Sequence, residues 1–410
     1  MSIKKSDLLI GGEIGPPSSG RYYPLHSPVD GGLVAEVADA AAADVDRAVA
    51  AAREAFYAEW KFCSVERKRA LFAKLKEALY AMADELSAAK VQPPGGVGIP
   101  PLIERVIDYY VSKLDDGAGT LIEHGDQGTN YVYKEPLGVV AIFVPFNGPM
   151  LGALLSAVPA LVAGNTIVVK APDQEAPQAL KAMQAFHEAG FPAGVVNALS
   201  GKGPEVGQAL VAHPATRLIS FTGSTATGKK IMAAAAGDLK RVQLNLGSKT
   251  AQIVFPDADL EAAVTATVGS GFPGQACSAI SRVLLHRSVR DEFIALLKEK
   301  AQAAGPSMLI DGAAIERVER YVEMGNAQGE LLFGGRRPHG AEYAQGCYFE
   351  PTAFAFADQS SRVCRDEIFG PVVSVLTFDN DEEALALAND TEYGLLVSLW
   401  TQESGRQRYY

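Results

Sequence analysis

The stretch VVAIFVPFNGPM, residues 139–150, starts the pattern that decides the fold of this chain. Its short apolar run (139–144) is followed by a turn with two prolines and by a helical stretch (151–162). The alternation continues with strand candidates TIVVK (166–170), VVNAL (195–199) and LISF (218–221), and with helix candidates at 179–189, at 205–212 and from about Ala226. Apolar strands that alternate with helices predict an α/β fold whose parallel sheet is connected by right-handed crossovers.

The sequence on either side extends this pattern. Helices are predicted at 44–57 and 66–89, followed by a loop at 91–101 that is rich in proline and glycine. A second α/β region begins with QIVF (252–255) and contains a predicted helix at 291–301 and the strand VVSVLTF (372–378). A chain of 410 residues is too long for one ordinary core, so two domains are expected.

Composition excludes several classes of function. A net charge of −11 does not suit a protein that binds nucleic acid. The most apolar stretch, Pro136–Gly164, is interrupted by prolines and polar residues, whereas a membrane span needs about 20 uninterrupted apolar residues. The four cysteines lie far apart, without a CxxC pair or a Cys/His cluster, so neither a disulfide framework nor a metal site is expected. The cysteine usage and the absence of an apolar leader predict a cytoplasmic protein.

Two polar residues in tight turns could take part in chemistry. Cys277 lies in GFPGQACSAISR (271–282), where small neighbours would let a substrate reach the sulfur. Cys63, Cys347 and Cys364 have no such setting and are interpreted as inert small hydrophobic residues. Asn147 lies at a strand-to-helix corner, where its amide could donate to an oxyanion or could simply favour the turn.

Three further segments could bind a nucleotide, although each is weak evidence alone. FTGSTATGKK (221–230) follows a strand and opens a helix, as phosphate-binding turns do, but many tight turns look the same. Lys170 and Asp173 could bind a ribose or form a solvated strand end. DEIFGPV (366–372) places Glu367 near Phe369 before a strand, which is also compatible with a turn that carries a core aromatic residue.

The order of these segments resembles the NAD(P)-dependent aldehyde dehydrogenase superfamily along nearly the whole chain. The similarity covers IGGE (10–13), SPVDGGLVAEV (27–37), the 139–150 stretch, AGNTIVVKAP (163–172), AGFPAGVVNALSG (189–201), ISFTGSTATGKKI (219–231), GQACSAISR (274–282), YFEPT (348–352), DEIFGPVVSV (366–375) and ANDTEYGL (388–395). Independent convergence on all of these motifs in this order is very improbable.

The resemblance implies an oxidoreductase that converts an aldehyde to the carboxylic acid with NAD, or alternatively with NADP. In that scheme a thiolate attacks the aldehyde, hydride leaves to the nicotinamide, and water releases the acid from a thioester. The implied roles are nucleophile for Cys277, oxyanion hole for Asn147 and the Cys277 N–H, pyrophosphate contacts for Gly223 and Ser224, helix packing for Gly228, adenosine ribose for Lys170 with Asp173 beside it, nicotinamide ribose for Glu367, and nicotinamide lining for Phe369.

The resemblance also implies an aldehyde dehydrogenase-like architecture. We expect a Rossmann-type cofactor domain at 1–117 and 139–246, an oligomerisation hairpin at 118–138 and an α/β catalytic domain at 247–410. Family members continue beyond the position of Tyr410 through further catalytic-domain strands. The expected partners are a small-molecule aldehyde and further copies of the chain, as a homodimer or homotetramer, with neither nucleic acid nor membrane.

One departure from the family pattern bears directly on catalysis. The family motif LELGGK appears here as LNLGSK (244–249), so Asn245 occupies the position of the general-base glutamate. An amide has no useful basicity near neutral pH, and loss of a general base slows the affected step by about 10²–10⁴-fold. Three alternatives stay open: another carboxylate or a bound water substitutes, a thiol such as coenzyme A takes the acyl group, or the chain binds nucleotide without turnover.

A second departure concerns the choice of cofactor. KAPDQEAP (170–177) has one residue more between its lysine and its last proline than the usual family segment. Asp173 stays in register with Lys170, and Glu175 is a second candidate to face the ribose. An acidic group at that place favours the free 2′-hydroxyl of NAD over the 2′-phosphate of NADP.

Overall fold

The computed structural model describes residues 4–92, 101–117 and 119–409, which form two compact units. Unit 1 contains the described residues up to His26 together with Leu33–Leu246, and unit 2 contains Ser27–Gly32 and the residues from Gly247 onward. Most of the predicted loop at 91–101, namely residues 93–100, lies outside the described residues, as does Ala118 at the start of the predicted hairpin segment.

Unit 1 alternates strands and helices as the sequence predicts. Its strands are β1 (Lys4–Ser6), β2 (Leu8–Ile10), β3 (Glu13–Gly15), β4 (Tyr22–His26), β5 (Leu33–Ala38), β6 (Thr120–Glu123), β7 (Thr129–Val132), β8 (Val139–Phe143), β9 (Thr166–Lys170), β10 (Val196–Leu199), β11 (Thr216–Thr222) and β12 (Arg241–Asn245). Its α-helices are α1 (Ala42–Ala58), α2 (Val65–Ala81), α3 (Ala83–Ala88), α4 (Pro101–Ser112), α5 (Pro149–Val162), α6 (Ala176–Glu188), α7 (Gln208–Ala212) and α8 (Thr225–Ala236).

The main sheet of unit 1 has the order β12–β11–β8–β9–β10–β2–β3. The first five of these strands are mutually parallel, and β2 and β3 continue the sheet in antiparallel pairing. In β8, Val140 and Ile142 belong to one buried cluster and Val139 and Ala141 to another. Because successive side chains of a strand point to opposite faces, this division shows that both faces of β8 are covered. The predicted parallel sheet is confirmed.

A separate two-stranded hairpin is formed by β6 and β7. The two strands pair antiparallel, with Leu121 opposite Tyr131, and every residue of both strands is exposed. Neither strand pairs with the main sheet in the described part of the chain. The hairpin falls inside the predicted segment 118–138, and its role in oligomerisation stays a prediction.

Unit 2 contains a second α/β sheet. Its order is β16–β18–β19–β14–β13–β20, parallel throughout except for the β16–β18 pair. The strands of this sheet are β13 (Ala251–Val254), β14 (Arg282–His286), β16 (Glu330–Phe333), β18 (Thr352–Ala355), β19 (Val372–Phe378) and β20 (Val397–Trp400). Unit 2 also contains β15 (Ser307–Met308) and β17 (Tyr348–Phe349), which pair antiparallel with each other. The α-helices are α9 (Leu260–Gly271), α10 (Arg290–Ala304), α11 (Gly312–Gln328), α12 (Arg362–Arg365), α13 (Asp381–Asn389) and α14 (Arg406–Tyr409).

Two predicted helices differ from the structure in detail. The helix predicted at 66–89 is divided into α2 and α3 at Met82, whose backbone (φ −94°, ψ 10°) leaves the helical range. The helix predicted at 205–212 begins earlier, with one wider π-helical turn at Gly203–Gly207. Apolar periodicity continues through both irregularities, so it does not show them. No described helix has the length and apolar character that a membrane crossing requires.

Candidate active site

The carboxyl ends of the parallel strands in unit 1 gather several of the predicted residues at one sheet edge. Thr222 of β11 is paired with Asn245 of β12, and Phe143 of β8 with Lys170 of β9. Neighbouring strands lie about 4.8 Å apart, so the segments that follow these strand ends are close in space. Ligands of open parallel sheets bind at this edge, which makes it the candidate nucleotide site.

Asn147 lies in the loop that connects β8 with α5, and its side chain is exposed. The helix begins at Pro149, a residue whose fixed φ suits the first helical position. A Cβ on Gly152 would lie 2.9 Å from Pro145 Cδ, so the first turn of α5 packs closely against the loop. The loop therefore presents the Asn147 amide at a tightly packed corner of the same sheet edge.

The turn that contains Gly223 and Ser224 leads from β11 into the N-terminus of α8. Ser224 caps the helix, and its Oγ accepts a hydrogen bond from the Thr227 backbone N–H at 3.3 Å. Gly228 is buried, and a Cβ there would lie 2.5 Å from Leu246 Cδ2, so a side chain would push α8 away from the segment after β12. Exposed N–H groups at the start of a helix are suited to bind a phosphate.

Lys170 and Asp173 form an ion pair at the end of β9. Lys170 is buried, whereas Asp173 keeps part of its side chain open to solvent. Asp173 is thereby held close to the sheet edge where the resemblance places a ribose.

Glu175 does not face this edge, so its interpretation as a ribose-binding residue is wrong. Its side chain is completely buried, and its oxygens accept the backbone N–H groups of Val91 at 3.0 Å and Gln92 at 2.7 Å. Burial raises the pKa of this carboxyl, and the two hydrogen bonds oppose the shift. Glu175 thus acts as a structural carboxylate in this segment.

Asn245 is the last residue of β12, at the edge of the sheet, and its side chain is exposed. Its backbone carbonyl accepts the Gly223 N–H at 3.1 Å, so strand pairing continues into the glycine turn. The structure thus places an amide, which cannot act as a base, at the sheet edge of unit 1 where the parallel strands have their C-terminal ends.

In unit 2, Cys277 lies on the loop between α9 and β14 and is half-buried. Gly274 in this loop has φ +61°, and a Cβ there would collide with the carbonyl of Gly370, so both conformation and space require glycine. The Gln275 side chain holds the loop, because it donates to Met308 O at 2.9 Å and accepts from Ile310 N at 2.9 Å. The thiol is therefore carried by a fixed turn.

The other three cysteines lie in different surroundings. Cys364 is buried, and Cys63 and Cys347 are partly buried outside this loop. Burial raises the pKa of all three thiols, which disfavours their nucleophilic thiolate form.

Glu367 lies on the loop before β19, and the loop that carries Cys277 packs against it. A carboxylate oxygen of Glu367 accepts the Ser248 N–H at 2.9 Å, and Gly247 leaves no room for a side chain beside this carboxylate. Burial raises the Glu367 pKa, while the Ser248 hydrogen bond, Lys249 and Arg317 oppose the shift. The two loops enclose a narrow crevice lined by Ser248, Gly271, Gly274, Ala276, Ala279, Ile280, Ser281, Glu367, Ile368, Phe369, Gly370 and Val372.

Two basic residues beside Glu367 were not anticipated from the sequence. Arg317 donates to the carbonyls of Ile368 at 2.8 Å and Phe369 at 3.3 Å, and Phe369 has a left-handed backbone (φ 57°). Lys249 is buried, and its Nζ has no hydrogen-bond partner among the described residues. Burial lowers the Lys249 pKa to about 8. Lys249 belongs to the LNLGSK motif, which was a usable signal, whereas Arg317 lies on an ordinary amphipathic helix and gave none.

The structure thus brings the predicted residues together as two sets, one in each unit. Asn147, Lys170, Asp173, Gly223, Ser224, Gly228 and Asn245 belong to unit 1, and Cys277, Glu367 and Phe369 to unit 2. The unit 2 set precedes β14 and β19, so it lies at the amino ends of parallel strands. No cluster of three or more potential metal ligands occurs among the described residues.

The chain has two α/β units. One carries a glycine-rich turn at a helix N-terminus, and the other carries a cysteine in a tight glycine turn. This combination is the one expected of a nucleotide-dependent enzyme with a cysteine nucleophile. The chain matches the model of the aldehyde dehydrogenase family over residues 16–410. It therefore belongs to the aldehyde dehydrogenase family, whose members are oxidoreductases that act on aldehydes.

Individual relatives agree with this assignment. A hydroxyisobutyraldehyde dehydrogenase from Mycolicibacterium austroafricanum is 36% identical over 97% of this chain and 82% of its own length. The structure of gamma-glutamyl-gamma-aminobutyraldehyde dehydrogenase from Burkholderia cenocepacia matches with a TM-score of 0.91 at 36% identity, over 100% of this chain and 86% of that one. An indole-3-acetaldehyde dehydrogenase from P. syringae was solved as a cysteine-to-alanine mutant with NAD+ and IAA. It matches with a TM-score of 0.90 at 33% identity, over 99% of this chain and 86% of that one.

Proposed function

We propose that this chain oxidises an aldehyde to the carboxylic acid with NAD, and that Cys277 is the nucleophile. The observation that carries the proposal is the position of Cys277. Of the four cysteines, it alone lies in a glycine-containing turn that packs against the loop of Glu367 and Phe369. A half-buried thiol among small side chains is accessible to an aldehyde carbonyl.

The chemistry then follows from the residues. The Cys277 sulfur adds to the aldehyde carbon, and the carbonyl oxygen becomes the oxyanion of a thiohemiacetal. The Asn147 amide and the Cys277 N–H are proposed to donate to this oxyanion, which is the type of electrostatic stabilisation worth about 10²–10³-fold in rate. As the thiohemiacetal collapses, its hydride would go to the acceptor that bound NAD supplies, and a thioester remains on Cys277. Water then adds to the thioester, the C–S bond breaks, and the acid and the thiolate are released.

The residues at the carboxyl edge of unit 1 fit a dinucleotide. The first N–H groups of α8, with Gly223 and Ser224, are suited to a pyrophosphate, and Lys170 with Asp173 to a ribose. The solved relative from P. syringae holds NAD+. In unit 2, Glu367 and Phe369 are proposed to contact the nicotinamide riboside. The bound cofactor supplies the hydride acceptor.

A second candidate function is acylating oxidation, in which coenzyme A takes the acyl group. The observation that favours it is Asn245, an exposed amide at the position of the family's general base. A thiolate needs less help from a base than water does, so this branch tolerates the amide. A nucleotide-binding homologue without turnover is the third alternative, and the retention of Cys277 and Asn147 argues against it.

The deciding experiment is an assay of NADH and NADPH formation over a panel of aldehydes, with and without coenzyme A. Cys277→Ala should abolish cofactor reduction and leave NAD binding intact, whereas the matched variant Cys347→Ala should keep the wild-type rate. Substantial aldehyde oxidation by Cys277→Ala would contradict the proposal. Reduction that requires coenzyme A would favour the acylating alternative.

A further inference from the structure

The thioester step requires a base that the family's usual position does not supply. Water must lose a proton as it attacks the thioester carbonyl, and a positioned base accelerates such a step by about 10²–10⁴-fold. Asn245 occupies the usual position, and its amide cannot take the proton. If the enzyme hydrolyses its thioester efficiently, another group must accept the proton.

The crevice beside the Cys277 loop contains one such group. Ala276, adjacent to Cys277, and Glu367 both line the crevice. Among the described residues that line the crevice, Glu367 is the one with a carboxyl group. The crevice has room for about one water molecule. A carboxylate and the space for a water therefore lie next to the turn that carries the thiol.

The charges that face Glu367 suit a carboxylate that takes up and releases a proton. Two cations favour the ionised form of Glu367: Lys249, which follows the donor Ser248, and Arg317 on α11. Burial opposes ionisation. On its own loop, the neighbouring Asp366 is occupied, because it accepts from Tyr321 Oη at 2.8 Å and Arg362 Nε at 2.8 Å. A further titratable neighbour is Tyr393, which hydrogen-bonds the Glu367 backbone.

We propose that Glu367 is the general base that activates water for hydrolysis of the Cys277 thioester. This inference rests on the proposed function and adds a second role to a residue assigned to the nicotinamide ribose. A water proton moves to the Glu367 carboxylate as the water oxygen bonds to the acyl carbon. The C–S bond then breaks, the thiolate of Cys277 leaves, and the Glu367 proton passes to solvent.

The test isolates this step from the cofactor. The full chain without NAD is acetylated with p-nitrophenyl acetate and passed through a desalting column. The acetyl group on Cys277 is then followed over time by peptide mass spectrometry. Glu367→Gln keeps an acceptor for the Ser248 N–H but removes the base. The matched control is Asp366→Asn, which removes the adjacent carboxyl that is held by Tyr321 and Arg362.

We expect the acetyl group to persist about 100-fold longer in Glu367→Gln than in the wild type, and Asp366→Asn to lose it at the wild-type rate. Adding Asn245→Glu to Glu367→Gln should restore fast loss, because a base is returned. Equal persistence in the wild type and Glu367→Gln would overturn this inference and leave the proposed function intact. Failure of Cys277 to be acetylated in either protein would overturn the proposed function and with it this inference.

The pH dependence gives a readout that a structural role would not change. Hydrolysis should speed up as pH rises and Glu367 loses its proton, with a midpoint above the usual glutamate pKa because burial raises it. Lys249→Met removes a cation that lowers the Glu367 pKa, so the midpoint should move to higher pH. A midpoint that Lys249→Met leaves in place would contradict Glu367 as the titrating base.

Discussion

The buried Glu175 carboxylate accepts the backbone N–H of Val91 at 3.0 Å, and thereby joins the start of α6 to the segment that follows α3. The neighbouring Gln92 N–H donates to its other oxygen at 2.7 Å. These two bonds satisfy backbone groups that have no helical partner, so the carboxylate stabilises unit 1.

Glu175→Ala should therefore lower the stability of unit 1 by about 1–3 kcal/mol, since buried N–H groups would lose their acceptors. Thermal unfolding followed by circular dichroism measures this change. The control Glu188→Ala alters an exposed carboxyl at the end of the same helix and should stay within about 0.5 kcal/mol. A strong change in cofactor preference with unchanged stability would restore the ribose interpretation of Glu175.

Glu175 also illustrates what sequence can and cannot predict here. The strands β8, β9 and β11 were predictable because short apolar runs between glycine and proline turns are typical of buried strands. The residues of the candidate site were named through ordered motifs. A motif gives the position of a side chain along the chain, whereas the direction of that side chain depends on tertiary packing. Glu175 therefore seemed equivalent to Asp173, and Arg317 could not be distinguished from other helical arginines.

Asn245→Glu separates the function hypotheses. In a hydrolytic enzyme with a weakened base, hydride transfer outruns thioester hydrolysis, so rapid mixing should show a burst of NADH and then a slow phase. The new carboxylate should accelerate the slow phase, by up to about 10²-fold if hydrolysis limits turnover. In an acylating enzyme, coenzyme A would relieve the slow phase instead. A fast steady rate without a burst, and without gain from Asn245→Glu, would show that the wild-type base is already sufficient.

Asp173 governs the choice between NAD and NADP in this scheme. It is ion-paired with the buried Lys170, so its removal leaves a cation near the ribose site without its partner. Asp173→Ala should raise kcat/KM for NADP relative to NAD, by about tenfold, because repulsion of the 2′-phosphate is lost and Lys170 becomes available to it. The ratio of the two kcat/KM values measures the effect. An unchanged ratio would mean that Asp173 does not face the 2′ position.

The exposed hairpin predicts how copies of the chain associate. Leu121 and Tyr131 pair across β6 and β7, and both remain largely exposed. Exposed apolar side chains on an unpaired hairpin favour contact with another surface. Tyr131→Asp combined with Leu121→Asp should shift the particle from a dimer or tetramer to a monomer in light scattering. The control Asp126→Asn changes a charge at the hairpin tip and should leave the mass of the particle unchanged. A monomeric wild-type protein would contradict the oligomer prediction.

Arg317 supports the strained backbone of the loop that carries Glu367. The left-handed conformation of Phe369 costs about 1–3 kcal/mol and persists only where the surroundings hold it. Arg317 supplies that support through its two hydrogen bonds to the carbonyls of Ile368 and Phe369. Arg317→Met keeps much of the side-chain volume but leaves both carbonyls without this donor, so the loop should relax.

We expect Arg317→Met to lower the thermal midpoint by a few degrees and to raise the KM for NAD by about tenfold, which corresponds to about 1.4 kcal/mol. The control Arg320→Met changes an exposed arginine on the same helix and should do neither. Glycine adopts a left-handed conformation without strain. In a Phe369→Gly background, Arg317→Met should therefore destabilise the protein less than in the wild type. Equal destabilisation in both backgrounds would show that Arg317 stabilises α11 rather than the strained loop.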